Sequence, residues 1–170
     1  MGKILVVDDD TTVRALMRTT LTMEGHDVVE AAGGEEALEL IRIQEFDLVL
    51  LDVMMPVTDG YEVLERIKGM PSRAALPVVV VTAKPYDSDD VLREVSGGAI
   101  DHITKPFDPE DLLVVVTRAI GASRAQLEMK RGMMTRGATL YGAIERMRRL
   151  AEEPHPVGAG DRQPRRPFRR

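Results

Sequence analysis

Carboxylates are the side chains of this sequence with the clearest capacity for chemistry. Asp8, Asp9 and Asp10 follow directly on the run Lys3–Val7, and Asp52 ends the apolar run Leu48–Leu51. Carboxylates that a fold brings together repel one another unless a cation neutralises them. A hard divalent ion with few protein ligands and open positions for phosphate and water suits such a cluster, and Mg²⁺ is an ion of this kind.

Two further polar side chains follow apolar runs in the same way. Thr82 comes after Val78–Val81, and its hydroxyl could donate to a phosphoryl oxygen. Lys105 could pair with Asp52 or with a phosphate oxygen. The plainer alternatives are a threonine selected for β propensity, a surface lysine, and aspartates that only cap the helices that follow them. Lys105 precedes Pro106, so a cis peptide bond is open to this turn.

The elements that must position these residues alternate along the chain. Short β-branched or apolar runs predict five strands, and helical periodicity with caps predicts a helix after each. The predicted strands are Lys3–Val7, His26–Ala31, Asp47–Leu51, Val78–Val81 and Ala99–Thr104. The first predicted helix is capped by Thr11 or Thr12 and ends at about Met23. The later helices are predicted from Gly33-Gly34, from Asp59-Gly60 to about Met70, over 87–95, and from Asp108 to about Ile120.

This alternation predicts an α/β fold. Each strand–helix–strand connection is a crossover, so the sheet should be parallel and covered by helices on both faces. A length near 120 residues favours a flavodoxin-like (βα)5 three-layer sandwich with strand order 2-1-3-4-5. Ligands bind such sheets where the strand order reverses, between strands 1 and 3. Asp8, Asp9 and Asp52 follow those two strands, so the topology places the carboxylates at the predicted site.

Composition limits the classes of function. The chain has 170 residues, of which 44% are hydrophobic and 30% charged, as in globular proteins. It has no cysteine, which excludes disulfides, thiolate metal sites and a thiol nucleophile. No apolar run reaches the roughly 18 residues of a membrane span. The first residues show no signal-peptide cleavage region, so we expect a cytoplasmic protein.

Charge divides the sequence into an acidic body and a basic extension. Residues 1–120 hold 11 basic and 23 acidic side chains, and residues 121–170 hold 12 and 5. We predict a domain over 1–120, a helix-prone extension over 121–153 and a disordered Pro/Arg-rich tail over 154–170. The extension could continue the last helix, pair with another protomer, lie on a partner or dock on its own domain. The tail could bind an acidic partner, anionic lipid or nucleic acid, or could simply solubilise the protein or associate with itself.

Five motifs in one register resemble the receiver domain of bacterial two-component response regulators. They cover residues 1–120: Val7-Asp8-Asp9, Asp52 through Gly60, Thr82-Ala83, Gly98-Ala99 and Lys105-Pro106-Phe107. The resemblance implies that Asp52 accepts a phosphoryl group from the phosphohistidine of a sensor histidine kinase. It implies that Asp8, Asp9, Asp52 and the backbone carbonyl of Met54 bind Mg²⁺, with Asp8 acting through water, and that Thr82 and Lys105 contact the phosphoryl oxygens.

The resemblance also implies a switch rather than an enzyme. Phosphorylation would draw Thr82 inward and repack the face formed by helix 87–95, strand 99–104 and the following helix, which the family often uses for homodimers. Where the family has an aromatic switch residue this sequence has His102, which is smaller, polar and titratable near neutral pH. His102 is either a pH-sensitive switch or a strand histidine without a role. Met54 cannot orient an attacking water, so we expect no fast self-dephosphorylation.

Two other functions compete with this interpretation. The first is a transcription regulator with an atypical, basic C-terminal DNA-binding output, which the lack of a helix-turn-helix pattern after residue 120 disfavours. The second is a phosphatase of the haloacid dehalogenase type, which would need an acid two residues after the nucleophile. Met54 occupies that position here. The signalling interpretation implies a downstream effector protein, and nucleic acid is the weaker candidate partner.

Overall fold

A computed structural model describes residues 1–83 and 97–152, without the side chains of 135–141, 144 and 150–152. The strands are β1 (Lys3–Val7), β2 (Asp27–Ala31), β3 (Leu48–Asp52), β4 (Val78–Thr82) and β5 (Asp101–Thr104). The helices are α1 (Thr11–Met23), α2 (Gly34–Ile43), α3 (Gly60–Lys68) and the C-terminal helix (Pro109–Glu152). The helix predicted over 87–95 and the tail predicted over 154–170 lie outside the described residues.

The five strands form one parallel sheet with the order β2-β1-β3-β4-β5, which confirms the predicted flavodoxin-like fold. β1 lies between β2 and β3, with Ile4 opposite Leu48. At the other end of β3, Asp52 lies opposite Val81, and Thr82 is paired with Thr104 of β5. The register therefore brings the carboxyl ends of β1, β3, β4 and β5 to one edge.

Helices cover both faces of the sheet. Side chains alternate along a strand, so Leu5 and Val7 pack with α2 and α3, whereas Ile4 and Val6 pack with α1 and the C-terminal helix. Every residue of β3 and β4 is buried. Strands that are covered on both faces need the continuous apolar runs that the sequence shows.

The cap of α1 differs from the prediction. The N-cap is Asp10 rather than Thr11 or Thr12, and its carboxylate accepts the backbone N–H groups of Thr12 and Val13. Aspartate is among the best N-cap residues, and the helix begins one residue earlier when Asp10 takes this role. Asp10 is thus turned toward α1, and it is absent from the acidic cluster formed by Asp8, Asp9 and Asp52.

The C-terminal helix continues beyond Ile120, where the pattern predicts its end. A glycine costs about 1 kcal/mol relative to alanine in a helix, which here does not stop the helix at Gly121, Gly132, Gly137 or Gly142. Continuation of the last helix is therefore the alternative that the structure shows for residues 121–152. The described residues divide into two compact units, one that ends at Glu128 and one that begins at Met129. Among the described residues, no helix combines the length and apolarity of a membrane span.

Candidate functional site

The predicted carboxylates meet at the carboxyl end of the sheet. Asp8 follows β1 and is fully buried, and Asp52 ends β3 with 2% of its surface exposed. Asp9 is exposed beside them. Each of the three residues offers a carboxylate oxygen, and these oxygens all lie within 4.8 Å of one another. The arrangement follows from the topology, because β1 and β3 are neighbours and end at the same edge.

Lys105 lies between the two buried carboxylates. Its Nζ is 2.6 Å from Oδ2 of Asp8 and 2.8 Å from Oδ2 of Asp52. Its backbone N–H donates to the carbonyl of Thr82 at 2.7 Å, which ties the end of β5 to the end of β4. The sequence suggested the contact with Asp52, and the contact with Asp8 is additional. Two buried acids therefore share one ammonium, and Asp9 adds a third carboxylate at the surface.

The pKa shifts show how this arrangement balances burial against pairing. Burial raises the pKa of Asp8, although the hydrogen bond and charge of Lys105 act in the opposite direction. Burial by itself would lower the pKa of Lys105, but the hydrogen bonds and charges of Asp52 and Asp8 outweigh it and leave that pKa raised. The ammonium is thus held charged, and it does not fully compensate the buried acid at position 8.

Backbone N–H groups hold the second oxygen of each buried carboxylate. Oδ1 of Asp8 accepts the N–H of Asp10 at 2.9 Å, and Oδ1 of Asp52 accepts the N–H of Met54 at 2.8 Å. Each acid therefore has one oxygen on the backbone of the following turn and the other on Lys105. Their side chains are oriented before any ligand binds, which is a requirement for preorganised electrostatic chemistry.

The start of α3 comes unusually close to the end of β3. A Cβ at Gly60 would lie 2.4 Å from the carbonyl oxygen of Asp52 and 2.4 Å from Cα of Val53. Both neighbours are backbone atoms that cannot move aside as a flexible side chain can. Glycine is therefore needed at position 60 so that Asp52 can keep its place at the carboxyl end of the sheet.

Thr82 and His102 lie on the same face of the sheet. Thr82 is two residues beyond Val80, and His102 is paired with Val80 in the neighbouring strand. Alternation places all three on the side of the sheet that packs against α2 and α3. Thr82 is 6% exposed and His102 is half-buried. A switch pair must share a face of the sheet, and a switching role for His102 remains a prediction.

The structure adds Arg14, which the sequence analysis missed. Its guanidinium donates to the backbone carbonyls of Asp8 and Asp9. A cation near the start of α1 opposes the helix dipole, and this mismatch is the signal that could have drawn attention to it. The Lys105–Pro106 peptide bond, for which the sequence left a cis form open, is cis.

The donor set suits a hard cation. The cluster offers only oxygen ligands, its exposed member Asp9 faces solvent, and its buried members carry more negative charge than Lys105 supplies. The acidic cluster can therefore hold a metal ion.

Comparison with known proteins agrees with this geometry. The family model described as the response regulator receiver domain matches residues 4–117. A probable transcriptional regulator ycf27 from Cyanophora paradoxa is 42% identical over 113 residues, which cover 65% of this chain and 44% of that protein. The alkaline phosphatase synthesis transcriptional regulatory protein PhoP from Bacillus subtilis is 40% identical over 110 residues, covering 65% and 45%. The matched region spans about half the length of these curated relatives.

Solved structures give the same result. The chemotaxis protein CheY4 of Vibrio cholerae superposes with a TM-score of 0.67 and 32% identity, covering 70% of this chain and 98% of that one. A CheY-like receiver domain protein from Methanospirillum hungatei gives a TM-score of 0.69 and 29% identity, covering 74% and 98%.

Proposed function

This chain belongs to the response regulator receiver family, and from that membership we propose that it is a phosphorylation-dependent switch of a two-component pathway. Its phosphoryl donor is the phosphohistidine of a sensor histidine kinase, and it acts in the cytoplasm. Its output is a change in protein–protein contacts with an effector. One observation carries the proposal. Two buried, oriented carboxylates share one ammonium at the point where the strand order of the sheet reverses.

Asp52 is the proposed phosphoacceptor. Its carboxylate oxygen attacks the phosphorus of the phosphohistidine, an O–P bond forms, and the N–P bond breaks. The imidazole leaves with the electron pair of that bond and takes up a proton, and an acyl phosphate remains on Asp52. Lys105, within 2.8 Å of Asp52, offsets the charge of the two anions as they approach. The backbone N–H of Met54 keeps the carboxylate oriented.

Asp8, Asp9, Asp52 and the backbone carbonyl of Met54 would hold the Mg²⁺ ion. The three carboxylates satisfy the preference of this ion for oxygen ligands, and the exposure of Asp9 leaves the site open to water and phosphate. When bound, Mg²⁺ supplies positive charge to the phosphoryl oxygens.

Thr82 and His102 carry the proposed conformational response. The hydroxyl of Thr82 moves toward a phosphoryl oxygen, and His102, on the same sheet face, follows. The surface that reads this change includes β5, where Asp101 pairs with Arg118 of the C-terminal helix. A homodimer through the predicted helix 87–95, β5 and the helix that follows would use this surface, although residues 87–95 lie outside the described residues.

Intact-protein mass spectrometry tests the proposal. The full chain is incubated with acetyl phosphate and Mg²⁺, and we expect one phosphoryl adduct that Asp52→Asn removes. Asp47→Asn is the matched control, because Asp47 is an exposed acid just before the other end of the same strand. The adduct should require Mg²⁺ and should be long-lived, because Met54 cannot activate water. Steady release of phosphate without an adduct would contradict the proposal and favour a phosphatase.

A second candidate output is DNA binding. The curated relatives described above are named transcriptional regulators, and residues 121–170 hold 12 basic and 5 acidic side chains. A basic segment binds DNA with an affinity that falls as salt rises. A salt-dependent gel shift of the full chain that is lost after truncation at Gly121 would support this output.

A further inference from the structure

We propose that Arg14 is the positioning residue of the cation site, because it fixes the backbone that carries Asp8 and Asp9. The inference rests on the proposed function, since it assigns a role at the same site. Arg14 lies near the start of α1, and helical side chains point back toward the N-terminus of the helix. The guanidinium is thereby directed at the turn that joins β1 to α1.

The contacts of Arg14 divide between the turn and the sheet. Nη1 donates to the carbonyl oxygen of Asp8 at 2.7 Å and to that of Asp9 at 3.2 Å. Nε lies 3.5 Å from Oε1 of Glu30, a residue of β2. The side chain of Arg14 is only 14% exposed. Glu30 therefore orients a guanidinium that in turn holds two consecutive peptide groups.

Asp9 depends most on this support. The two carbonyls that Arg14 holds belong to the peptide groups on either side of the Asp9 Cα, so together they set the direction of its side chain. Asp8 has Lys105 and the N–H of Asp10 as side-chain partners. Within residues 1–83 and 97–152, no hydrogen bond is found to the Asp9 carboxylate. The backbone is thus the means by which the fold can aim this ligand.

Electrostatics alone predicts the opposite effect of Arg14. A positive charge near a cation site repels the cation, and a guanidinium near a helix N-terminus also opposes the helix dipole. Removal of Arg14 should therefore tighten cation binding if only its charge mattered. It should weaken binding if its hydrogen bonds to the turn matter more. The two explanations differ in sign, so a binding measurement separates them.

Arg18 provides the matched control. Its Nε lies 3.2 Å from Oε2 of the same Glu30, one turn further along α1, and its side chain is 55% exposed. It shares the charge, the helix and the acidic partner of Arg14. In the described part of the chain it donates no hydrogen bond to the carbonyls of Asp8 and Asp9. Arg18→Met thus removes a cation and a Glu30 contact while leaving the turn in place.

The test measures Mg²⁺ binding directly. Metal-free full-length protein is titrated with Mg²⁺ by calorimetry, with Mn²⁺ and its electron paramagnetic resonance signal as a second probe. We expect Arg14→Met to weaken binding about tenfold, the lower end of the range for residues that orient metal ligands. Arg18→Met should leave the dissociation constant within about twofold of the wild-type value. Arg14→Lys, which keeps the charge but loses the planar fork, should fall between them.

A kinetic readout separates positioning from catalysis. The rate of adduct formation with acetyl phosphate should need more Mg²⁺ for half-saturation in Arg14→Met, while the rate at saturating Mg²⁺ stays close to that of the wild type. Equal or tighter Mg²⁺ binding in Arg14→Met than in Arg18→Met overturns the inference. If circular dichroism shows that Arg14→Met does not fold, Arg14→Lys decides: weaker binding supports the inference, and wild-type binding overturns it.

Failure of the proposed function is distinguishable from failure of this inference. A wild-type chain that forms no Mg²⁺-dependent adduct, or an adduct that survives in Asp52→Asn, contradicts the function. A wild-type chain that forms the adduct normally, together with equal Mg²⁺ affinities of the Arg14 and Arg18 variants, contradicts only the role of Arg14.

Discussion

The two ends of the sheet hold the same kinds of charged residues and use them differently. At the carboxyl end, Asp8 and Asp52 are buried around the single ammonium of Lys105. At the amino end, cations donate mainly to backbone carbonyls. Lys68 donates to Leu76 at 2.6 Å, and Arg124 donates to Met1 at 2.7 Å.

Two acids of the amino end, Asp47 and Glu45, remain in water. Asp47 is exposed and accepts the backbone N–H of Lys3 at 2.7 Å. Arg73 donates to the carbonyl of Ile41 at 2.9 Å and pairs with Glu45, whose side chain is 88% exposed. These contacts provide hydrogen-bond donors for backbone carbonyls where the chain turns, and they bury no unpaired acid. They are the contacts that stability requires.

This difference in the burial of charge identifies the functional end of the sheet without reference to any similar protein. Among the described residues, the buried polar side chains are Asp8, Asp52 and Thr82, and all three lie at the carboxyl end. A buried charge destabilises a fold unless it is paired, and here two acids compete for one cation. A protein retains such an imbalance where binding a cation or a phosphoryl group resolves it.

The largest expected effect comes from removing the shared cation. Lys105→Met leaves two buried carboxylates facing each other, so we expect the free energy of unfolding to fall by about 3 kcal/mol in Mg²⁺-free buffer. Lys68→Met, its counterpart at the amino end, loses hydrogen bonds to neutral carbonyls and should cost about 1 kcal/mol. Urea unfolding monitored by circular dichroism measures both. Equal losses in the two variants would remove the distinction between the ends.

The next largest effect on stability concerns the close contact between the start of α3 and the backbone at Asp52. Gly60→Ala places a Cβ 2.4 Å from backbone atoms of Asp52 and Val53, so the start of α3 must shift. We expect a loss of about 1–3 kcal/mol, together with weaker Mg²⁺ binding. Gly121→Ala is the control, since its Cβ meets no atom within 4 Å and alanine favours a helix by about 1 kcal/mol. Thermal unfolding should therefore shift in opposite directions, and a stable Gly60→Ala would show that the approach is not tight.

A smaller effect on stability should have opposite signs at the two ends of the sheet. Burial raises the pKa of Asp8, which means that folding disfavours its charged form. Asp8→Asn should therefore stabilise the Mg²⁺-free protein at neutral pH. Asp47→Ala should instead lower stability by about 1 kcal/mol, because it removes the exposed carboxylate that accepts a backbone N–H. Denaturant midpoints measure both changes, and destabilisation by both substitutions would show that Asp8 is well compensated by Lys105.

The smallest effect comes from an exposed ion pair, Arg66 with Glu35, which is not among the charged residues described above for the two ends of the sheet. Arg66 hydrogen-bonds to Glu35 and lowers the pKa of that carboxyl below its ordinary value of 4.5. The stabilisation is therefore present above pH 4.5 and is lost as pH falls through the lowered pKa. The melting temperatures of wild type and Arg66→Gln should differ slightly at neutral pH and converge in acid. A difference that grows in acid would contradict the direction of this shift.

Sequence pattern predicted the fold and the strand ends well, because both follow from local runs and from the topology of crossovers. β1 has its predicted limits, and Asp52 ends β3 as the apolar run indicates. The pattern also placed Asp8, Asp9 and Asp52 at one edge, since only neighbouring strands 1 and 3 were needed for that conclusion.

The remaining features depend on contacts that no local pattern encodes. The triplet Asp8-Asp9-Asp10 offers several adjacent caps, and only the path of the turn makes Asp10 the cap of α1. Arg14 contacts backbone carbonyls, which every residue has, so its partners leave no trace in the sequence. The glycines of the C-terminal helix each weaken it by a bounded amount, and composition does not show that the helix nevertheless continues.

The span of chain bridged by Lys105 has a consequence for biosynthesis. This residue follows Asp8 by 97 positions and Asp52 by 53. A nascent polypeptide on the ribosome therefore carries both acids long before it carries the ammonium that they share. Interrupted translation, or proteolysis between residues 52 and 105, therefore yields N-terminal fragments that hold Asp8 and Asp52 without their counter-charge, so we expect incomplete chains to be poor competitors for the proposed phosphoryl donor.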